Sequence, residues 1–326
     1  MLHIAPVTHS DGADAPASGR DPLSLVAQLV RQCPGWDDPD LEVRELAGGI
    51  TNRNVLVAAR GQRAVARLPG ARTELLGIDR SNEVEAATRA ASLGIGPAIL
   101  GTLPEVGTSL IEYIDGFHLE GEPFVERLAD VVGVLRRFHA GPPLRASFPV
   151  HRVVERHARD AAAHGVAVPA RFEQLHVASR RIEEAMRQSP VPLVPCHNDL
   201  LPGNVLFERQ RNDGVAPRIL LLDYEYAGMN DPSFDLGNLS VNCGLGSAGD
   251  EALLRAYYGS MRTHDWARLQ LMKVMSEFRE GMWAVVQQAI SELDTDFAAY
   301  ADTRLGNCEA LVAGTDFETW LVEAAR

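Results

Sequence analysis

The sequence lacks long apolar runs. Its longest apolar stretches, such as Ala284–Val286 and Ile219–Leu222, fall far short of the ~18–20 residues that a membrane-spanning helix needs. The first residues, Met1–Ile4, show no basic segment followed by an extended apolar run, so a secretory signal is not predicted. We therefore expect no membrane insertion.

Cysteine is scarce and scattered, with 4 residues in the chain: Cys33, Cys196, Cys243 and Cys308. Because no C-x-x-C pair occurs, neither a disulfide framework nor a zinc site is predicted, and a reducing, cytoplasmic location is expected. The H-E-x-x-H and G-x-S-x-G motifs are also missing, which leaves a metalloprotease or a serine hydrolase without support.

Positive charge is in deficit, because 31 Lys and Arg residues face 44 Asp and Glu residues and give a net charge of -13. Such a chain repels phosphate backbones and anionic membranes, so nucleic-acid binding is not expected. A locally positive site can still bind a nucleotide. The length of 326 residues, with 46% hydrophobic and 23% charged residues, predicts a globular protein of two structural units.

The patterning divides the chain into a tail and two lobes. Residues 1–20 are rich in small and polar residues without periodicity, which predicts a flexible tail. Residues 21–114 show strand patterns around one main helix at 80–93 and form the predicted N-lobe. Helical patterns dominate residues 115–326, the predicted C-lobe, around a short region of strands. The fold class predicted is α+β, with a small antiparallel-sheet N-lobe and a larger, mostly helical C-lobe.

The short strand region carries the chemistry. Transfer of a γ-phosphoryl group needs a carboxylate that orients the acceptor hydroxyl, oxygen ligands for Mg²⁺, and positive charge at the phosphates. Asp199 can be that carboxylate, and Asn204 and Asp223 can be the Mg²⁺ ligands, because a hairpin brings them to the same end of a sheet. Singly each residue is typical of turns. The joint pattern H-x-D-x-x-x-x-N, followed by an apolar strand that ends in Asp, predicts an ATP- and Mg²⁺-dependent phosphotransferase.

These motifs resemble those of the choline/ethanolamine kinase family, within the protein-kinase-like aminoglycoside phosphotransferase superfamily. The resemblance includes residues 47–57 and 223–242, and it covers about residues 40–305 in the right order. It implies a bilobal protein-kinase-like fold that binds MgATP between its lobes. The N-lobe is then the nucleotide-binding part, and the C-lobe carries the catalytic loop, the metal site and the acceptor pocket.

The resemblance also implies the residues that bind the nucleotide. A loop that covers the phosphates would comprise Gly48, Gly49, Thr51 and Asn52. Arg67 would contact the phosphates at the position where protein kinases carry a lysine. Glu83 would pair with this cation, with Glu85 as the other candidate. The hinge at Glu112 and Ile114 would meet the adenine.

For the acceptor, the resemblance implies a pocket with aromatic walls, because a quaternary ammonium has no N–H to donate and is held by cation–π attraction. The candidate walls are Tyr226, Trp283, Phe297 and Tyr300. The last three also suit the core face of amphipathic helices. Two positions depart from eukaryotic choline kinases: Glu280 replaces a usual second tryptophan, and Asn242 replaces an acidic residue. Because a carboxylate at Glu280 can also accept N–H bonds from a primary ammonium, choline and ethanolamine both stay open.

Other interpretations remain beside this one. His197, Asp235 and Asn238 are implied to brace the catalytic loop. The acceptor could instead be an aminoglycoside or another small alcohol, and a nucleotide-binding regulator without turnover is a further alternative. The G-x-G-x-x-G pattern at Gly244–Gly249 follows a predicted helix, so it is interpreted as an inter-helix loop. The oligomeric state stays open, with a dimer as one option.

Overall fold

The computed structural model describes residues 22–46, 52–69, 73–103, 108–210, 214–291 and 293–326. The predicted flexible tail at 1–20 lies outside them. The strands are β1 (Glu42–Leu46), β2 (Asn52–Ala59), β3 (Gln62–Pro69), β4 (Ile99–Leu103), β5 (Thr108–Glu112), β6 (Gly116–Phe117), β7 (Val194–Cys196), β8 (Val205–Glu208), β9 (Ile219–Leu221) and β10 (Gly228–Asn230). The helices are α1 (Pro22–Val30), α2 (Arg80–Ser92), α3 (Glu122–Glu126), α4 (Leu128–His139), α5 (Val150–Ala163), α6 (Phe172–Gln188), α7 (Pro232–Asn242), α8 (Ser247–Tyr258), α9 (Thr263–Ile290), α10 (Phe297–Ala313) and α11 (Phe317–Ala324).

The N-terminal strands form an antiparallel sheet in the order β1-β2-β3-β5-β4. Strands β2 and β3 are joined by a tight turn in which Arg60 and Gly61 have φ values of 50° and 76°. Two successive left-handed residues match the twist of a two-residue hairpin. On β2, Val55 and Val57 are fully buried and lie on one face, as the period of two in a strand requires. Helix α1 packs beside this sheet.

Helix α9 is the central element of the C-terminal part. It contacts α5, α7, α10 and α11, and most of its residues are buried. At Gly237 of α7 the two helices approach so closely that a Cβ atom would lie 2.8 Å from backbone atoms of Met272 and Lys273. Only glycine allows this crossing, and it holds α7 and α9 in a fixed relation beneath the site.

Two small sheets position the loop that follows β7. Strand β7 pairs with β10, and β8 pairs with β6 and β9, in each case antiparallel. The N–H of Leu222, directly after β9, donates to the carbonyl of Asn204, directly before β8, at 2.9 Å. The hairpin therefore brings Asn204 beside the end of β9, where Asp223 follows.

The predicted fold class is confirmed: a small antiparallel sheet with one main helix, α2, accompanies a larger and mostly helical part. Within the helical part, the first helical segment is divided into α3 and α4 at Arg127. Among the described residues, no helix combines the length and the apolar character needed to cross a bilayer. The four cysteines are buried thiols.

Candidate active site

The loop after β7 is held by buried side chains of α7. The N–H groups of His197 and Asn198 donate to the two carboxylate oxygens of Asp235, at 2.8 and 2.7 Å. The N–H of Leu200 donates to Oδ1 of Asn238 at 2.5 Å. Because His197, Asn198 and Leu200 are fully buried, these bonds satisfy N–H groups that would otherwise be costly to bury. They fix the backbone on both sides of Asp199.

Two residues of the site have a left-handed backbone, Asn198 with φ 64° and Asp223 with φ 66°. Such a conformation costs of order ~1–3 kcal/mol for a residue other than glycine and persists where neighbouring bonds enforce it. The side chain of Asn198 donates to the carbonyl of Tyr226 at 3.0 Å and accepts from Asn230 at 2.8 Å. The ring of His197 lies 2.8 Å from the carbonyl of Leu222, which ties the loop to the residue before Asp223.

Asn204 and Asp223 offer oxygen donors suited to Mg²⁺. The Nδ2 group of Asn204 donates to the carbonyl of Asp199 at 2.9 Å, so the amide oxygen is the atom left to act as a ligand. Oδ1 of Asp223 pairs with Arg67, which leaves its second oxygen for a metal. Amide and carboxylate oxygens are the hard donors that Mg²⁺ prefers, so these two residues fit that ion.

Arg67 of β3 reaches across to the C-terminal part. Its Nη2 lies 2.7 Å from Oδ1 of Asp223, and its Nη1 lies 3.5 Å from Oε1 of Glu83. The other candidate partner, Glu85, lies 3.0 Å from Nε of Arg145 instead. Burial lowers the pKa of Arg67, but Asp223 and Glu83 outweigh burial and raise this pKa above its ordinary value. The site therefore holds a permanent cation next to the candidate metal ligands.

The remaining nucleotide-binding candidates lie at the edges of the described structure. Gly48, Gly49 and Thr51 lie outside the described residues, as does the side chain of Asn52. Glu112 ends β5, and its carboxylate accepts from Nη2 of Arg218 at 3.1 Å. Ile114 lies in the following connector, and its N–H donates to no other residue of the described ranges.

Asp199 is close to an arginine of α9. Nη1 of Arg279 donates to Oδ1 of Asp199 at 3.0 Å, and the same Nη1 pairs with Glu280. Burial raises the pKa of Asp199 to about 6, Arg279 opposes this rise, and Glu280 and Asp223 add to it. A carboxylate with a pKa in this range is well placed to accept a proton near neutral pH.

The sequence interpretation did not single out Arg279. Its side chain is 1% exposed and lies one residue after the equally buried Phe278 in α9. A charged residue at a core position of an otherwise apolar helical pattern was the available signal, because an arginine is rarely fully buried unless it is paired.

The predicted acceptor residues lie together. Nε1 of Trp283 donates to the hydroxyl of Tyr226 at 3.1 Å, and the Trp283 ring lies 5.8 Å from Phe297 and 6.4 Å from Tyr300, between centroids. The hydroxyl of Tyr300 donates to Oε2 of Glu280 at 3.2 Å. Phe297 is also buried in the helical core. The cluster thus combines aromatic rings with a carboxylate next to Asp199.

Asn242, the second departure noted in the sequence, supports the loop. Its Nδ2 donates to the carbonyl of Leu200 at 3.1 Å, and its Oδ1 accepts from Arg304 at 3.2 Å. Arg304 also donates to the hydroxyl of Tyr300 at 3.0 Å and to Glu277 at 3.2 Å. The amide of Asn242 therefore both donates to the catalytic loop and accepts from Arg304, which a carboxylate could not do.

The fold, together with the family match, defines a protein-kinase-like kinase of small molecules. The family model described as "Phosphotransferase enzyme family" matches residues 42–271, and the chain belongs to this family.

Among individual proteins, the chain is similar to kinases of ethanolamine and choline. The chain is 27% identical to ethanolamine kinase 2 of Homo sapiens over 312 residues, which cover 86% of this chain and 78% of that protein. It superimposes on a choline/ethanolamine kinase family protein from Mesorhizobium loti with a TM-score of 0.77 and 28% identity, over 93% of this chain and 98% of the other. It also matches the fold of LicA in complex with AMP, with a TM-score of 0.71 and 22% identity, over 89% and 96% of the two chains.

Proposed function

We propose that the protein transfers the γ-phosphoryl group of ATP to the hydroxyl of a small cationic amino alcohol, such as ethanolamine or choline. The observation that carries this proposal is the position of Asp199, which Arg279 links to Glu280 of the acceptor cluster. A candidate base thus lies next to a cluster of side chains that is both anionic and aromatic. The similarity to ethanolamine kinase 2 supports the same class of acceptor.

ATP would bind between the small sheet and the helical part. Arg67 would contact the phosphates, and Gly48, Gly49, Thr51 and Asn52 would cover them. The hinge at Glu112 and Ile114 would meet the adenine, and the Ile114 N–H, which has no partner within the described ranges, supports this role. The AMP complex of LicA is consistent with a nucleotide site in this fold.

Mg²⁺ would be held by Asn204 and Asp223, whose remaining oxygens suit it. When bound, the ion supplies positive charge that neutralises the phosphate oxygens. Asp199 would accept the proton of the acceptor hydroxyl while the oxygen forms its bond to the γ-phosphorus and the bond to ADP breaks. With Oδ1 of Asp199 engaged by Arg279, its second oxygen is available to the hydroxyl.

The test is an ADP-release assay of the purified protein with MgATP and separate acceptors: ethanolamine, choline, other amino alcohols and an aminoglycoside. We expect ADP release, and a phosphorylated product by mass spectrometry, with ethanolamine or choline. Release with the aminoglycoside alone would overturn the proposed acceptor class. ATP binding without ADP release for any alcohol would overturn the proposed activity.

A further inference from the structure

Arg279 places a charged group in the interior of the acceptor site. It is the largest fully buried side chain among the described residues. An ion of this kind is costly to bury unless it is paired, and here Nη1 serves both Asp199 and Glu280. Its Nε and Nη2 have no hydrogen-bond partner in the described part of the chain. Arg279 is thus held in place mainly by packing and by its two ion pairs, because its set of hydrogen bonds is incomplete.

The guanidinium of Arg279 covers Tyr226. Its central carbon lies 4.3 Å from the centroid of the Tyr226 ring and 5.9 Å from that of Phe148. These distances lie within the ~6 Å range of a cation–π interaction. The Tyr226 hydroxyl is meanwhile engaged by Trp283. The guanidinium of Arg279 therefore covers a face of the Tyr226 ring that could otherwise contact the cation of an acceptor.

Glu280 is the anionic side chain of this cluster that can bind an incoming ammonium. One of its oxygens pairs with Arg279 and the other accepts from the Tyr300 hydroxyl, and each oxygen has a further lone pair. The local charge also favours a cation, because the carboxylates of Asp199, Glu277 and Glu280 face the guanidinium groups of Arg279 and Arg304. One monovalent cation would balance this cluster.

We propose that Arg279 determines the class of ammonium that the enzyme accepts. This inference rests on the proposed function and extends it. By covering Tyr226 and pairing with Glu280, Arg279 directs the acceptor cation away from an aromatic face and toward carboxylate oxygens. An ammonium that bears N–H donors is selected over a quaternary one, because only the former can donate to Glu280. Arg279 acts here as a specificity-determining residue.

The test uses ethanolamine, N-methylethanolamine, N,N-dimethylethanolamine and choline, which share one hydroxyl and differ in the number of N–H groups. For the wild-type protein we expect kcat/KM to fall along this series by about tenfold for each hydrogen bond to Glu280 that is lost, up to the two bonds that its remaining lone pairs can accept. A flat series, or a preference for choline, would overturn the proposal. ADP release with none of the acceptors would instead overturn the proposed function.

The Arg279→Met variant removes the guanidinium and uncovers the Tyr226 ring. Its absolute activity is expected to fall because Asp199 loses a partner, so the readout is the ratio of kcat/KM for choline to that for ethanolamine. We expect this ratio to rise at least about tenfold over wild type. An unchanged ratio would contradict the proposal. If Arg279→Met does not fold by circular dichroism, Arg279→Gln supplies the neutral variant with the same expectation.

Two further variants separate this role from general packing. Arg279→Lys keeps a cation over the ring, so its ratio should stay near that of wild type while kcat falls; a ratio equal to that of Arg279→Met would contradict the proposal.

Arg268→Met is the matched control, because Arg268 lies on the same helix, is 2% exposed and pairs with Asp231. Its ratio should equal that of wild type, since it contacts none of the acceptor residues. If Arg268→Met also changed the ratio of kcat/KM for choline to that for ethanolamine, the change seen in Arg279→Met would be due to the packing of α9 and not to the guanidinium of Arg279.

Discussion

At the scale of single residues, Asp199 combines partial burial with a specific partner. Burial raises its pKa to about 6, while Nη1 of Arg279 holds one of its oxygens at 3.0 Å. The loop around it is fixed by Asp235 and Asn238 rather than by Asp199 itself. Substitution of Asp199 is therefore expected to affect the chemistry more than the fold.

The Asp199→Asn variant should lose about 10²–10⁴-fold in kcat, the usual contribution of a positioned acid or base. Asparagine keeps the size of the side chain but cannot accept the hydroxyl proton as a carboxylate does. ATP affinity, measured by calorimetry with Mg²⁺ present, should change little. Activity within a few-fold of wild type would exclude Asp199 as the base.

His157 predicts how stability depends on pH. Burial, with help from the nearby Arg279 and Arg156, lowers the pKa of His157 to about 3, so the folded protein keeps this ring neutral. In the unfolded chain the ring takes up a proton below ~6.5. The unfolded state thus binds more protons, and stability falls as pH falls, by about 1.4 kcal/mol per pH unit between ~6 and ~4 from this residue.

The measurement is urea unfolding of wild type and His157→Leu at several pH values in that window. On acidification, the free energy of unfolding of His157→Leu should fall less steeply than that of wild type, by about 1.4 kcal/mol per pH unit. This difference in slope does not depend on how stable the two proteins are at neutral pH. Equal slopes in the two proteins would contradict a buried neutral imidazole.

At the scale of elements, the crossing of α7 and α9 supports the catalytic loop from below. The Gly237→Ala variant places a methyl group 2.8 Å from the α9 backbone, so we expect a loss of about 1–3 kcal/mol in stability. Gly133→Ala in α4 is the matched control, because a Cβ there meets nothing within 4 Å. It should gain about 0.5–1 kcal/mol from helix propensity.

Urea unfolding of both variants tests this pair. Because α7 supplies Asp235 and Asn238, Gly237→Ala should also lower kcat, whereas Gly133→Ala should not. A Gly237→Ala protein as stable as wild type would show that the helices are free to separate.

The elements also show what the sequence could and could not predict. The fold class and the hairpin that joins Asn204 to Asp223 followed from local patterns, because strand alternation and turn residues are readable over short windows. The contact of Arg279 with Asp199 could not be predicted, since it depends on how α9 packs against a loop 80 residues away. The choice of Glu83 over Glu85 likewise depends on how α2 is rotated against β3.

At the scale of the whole molecule, the proposed nucleotide site joins the small sheet to the helical part. Arg67 of β3 pairs with Asp223, and Glu112 of β5 pairs with Arg218. A ligand that binds only the folded protein stabilises it, by about 2.7 kcal/mol at 100 times its Kd. MgATP is therefore expected to stabilise both parts together in a single transition.

Thermal unfolding with ATP, with and without Mg²⁺, checks this expectation. The Asp223→Asn variant should lose the Mg²⁺-dependent part of the Tm increase, because one proposed ligand loses its charge. Asp302→Asn, an exposed member of a surface ion pair with Arg171, is the control and should keep it. The same Mg²⁺ dependence in Asp223→Asn would rule out Asp223 as a ligand.

The most direct test of the central claim is a crystal structure of the protein with Mg²⁺, a non-hydrolysable ATP analogue and ethanolamine. We predict that oxygens of Asn204 and Asp223 coordinate the ion, and that the ethanolamine hydroxyl bonds to Asp199 and faces the γ-phosphorus. A triphosphate bound elsewhere, or turned away from these three side chains, would contradict the proposed phosphoryl transfer.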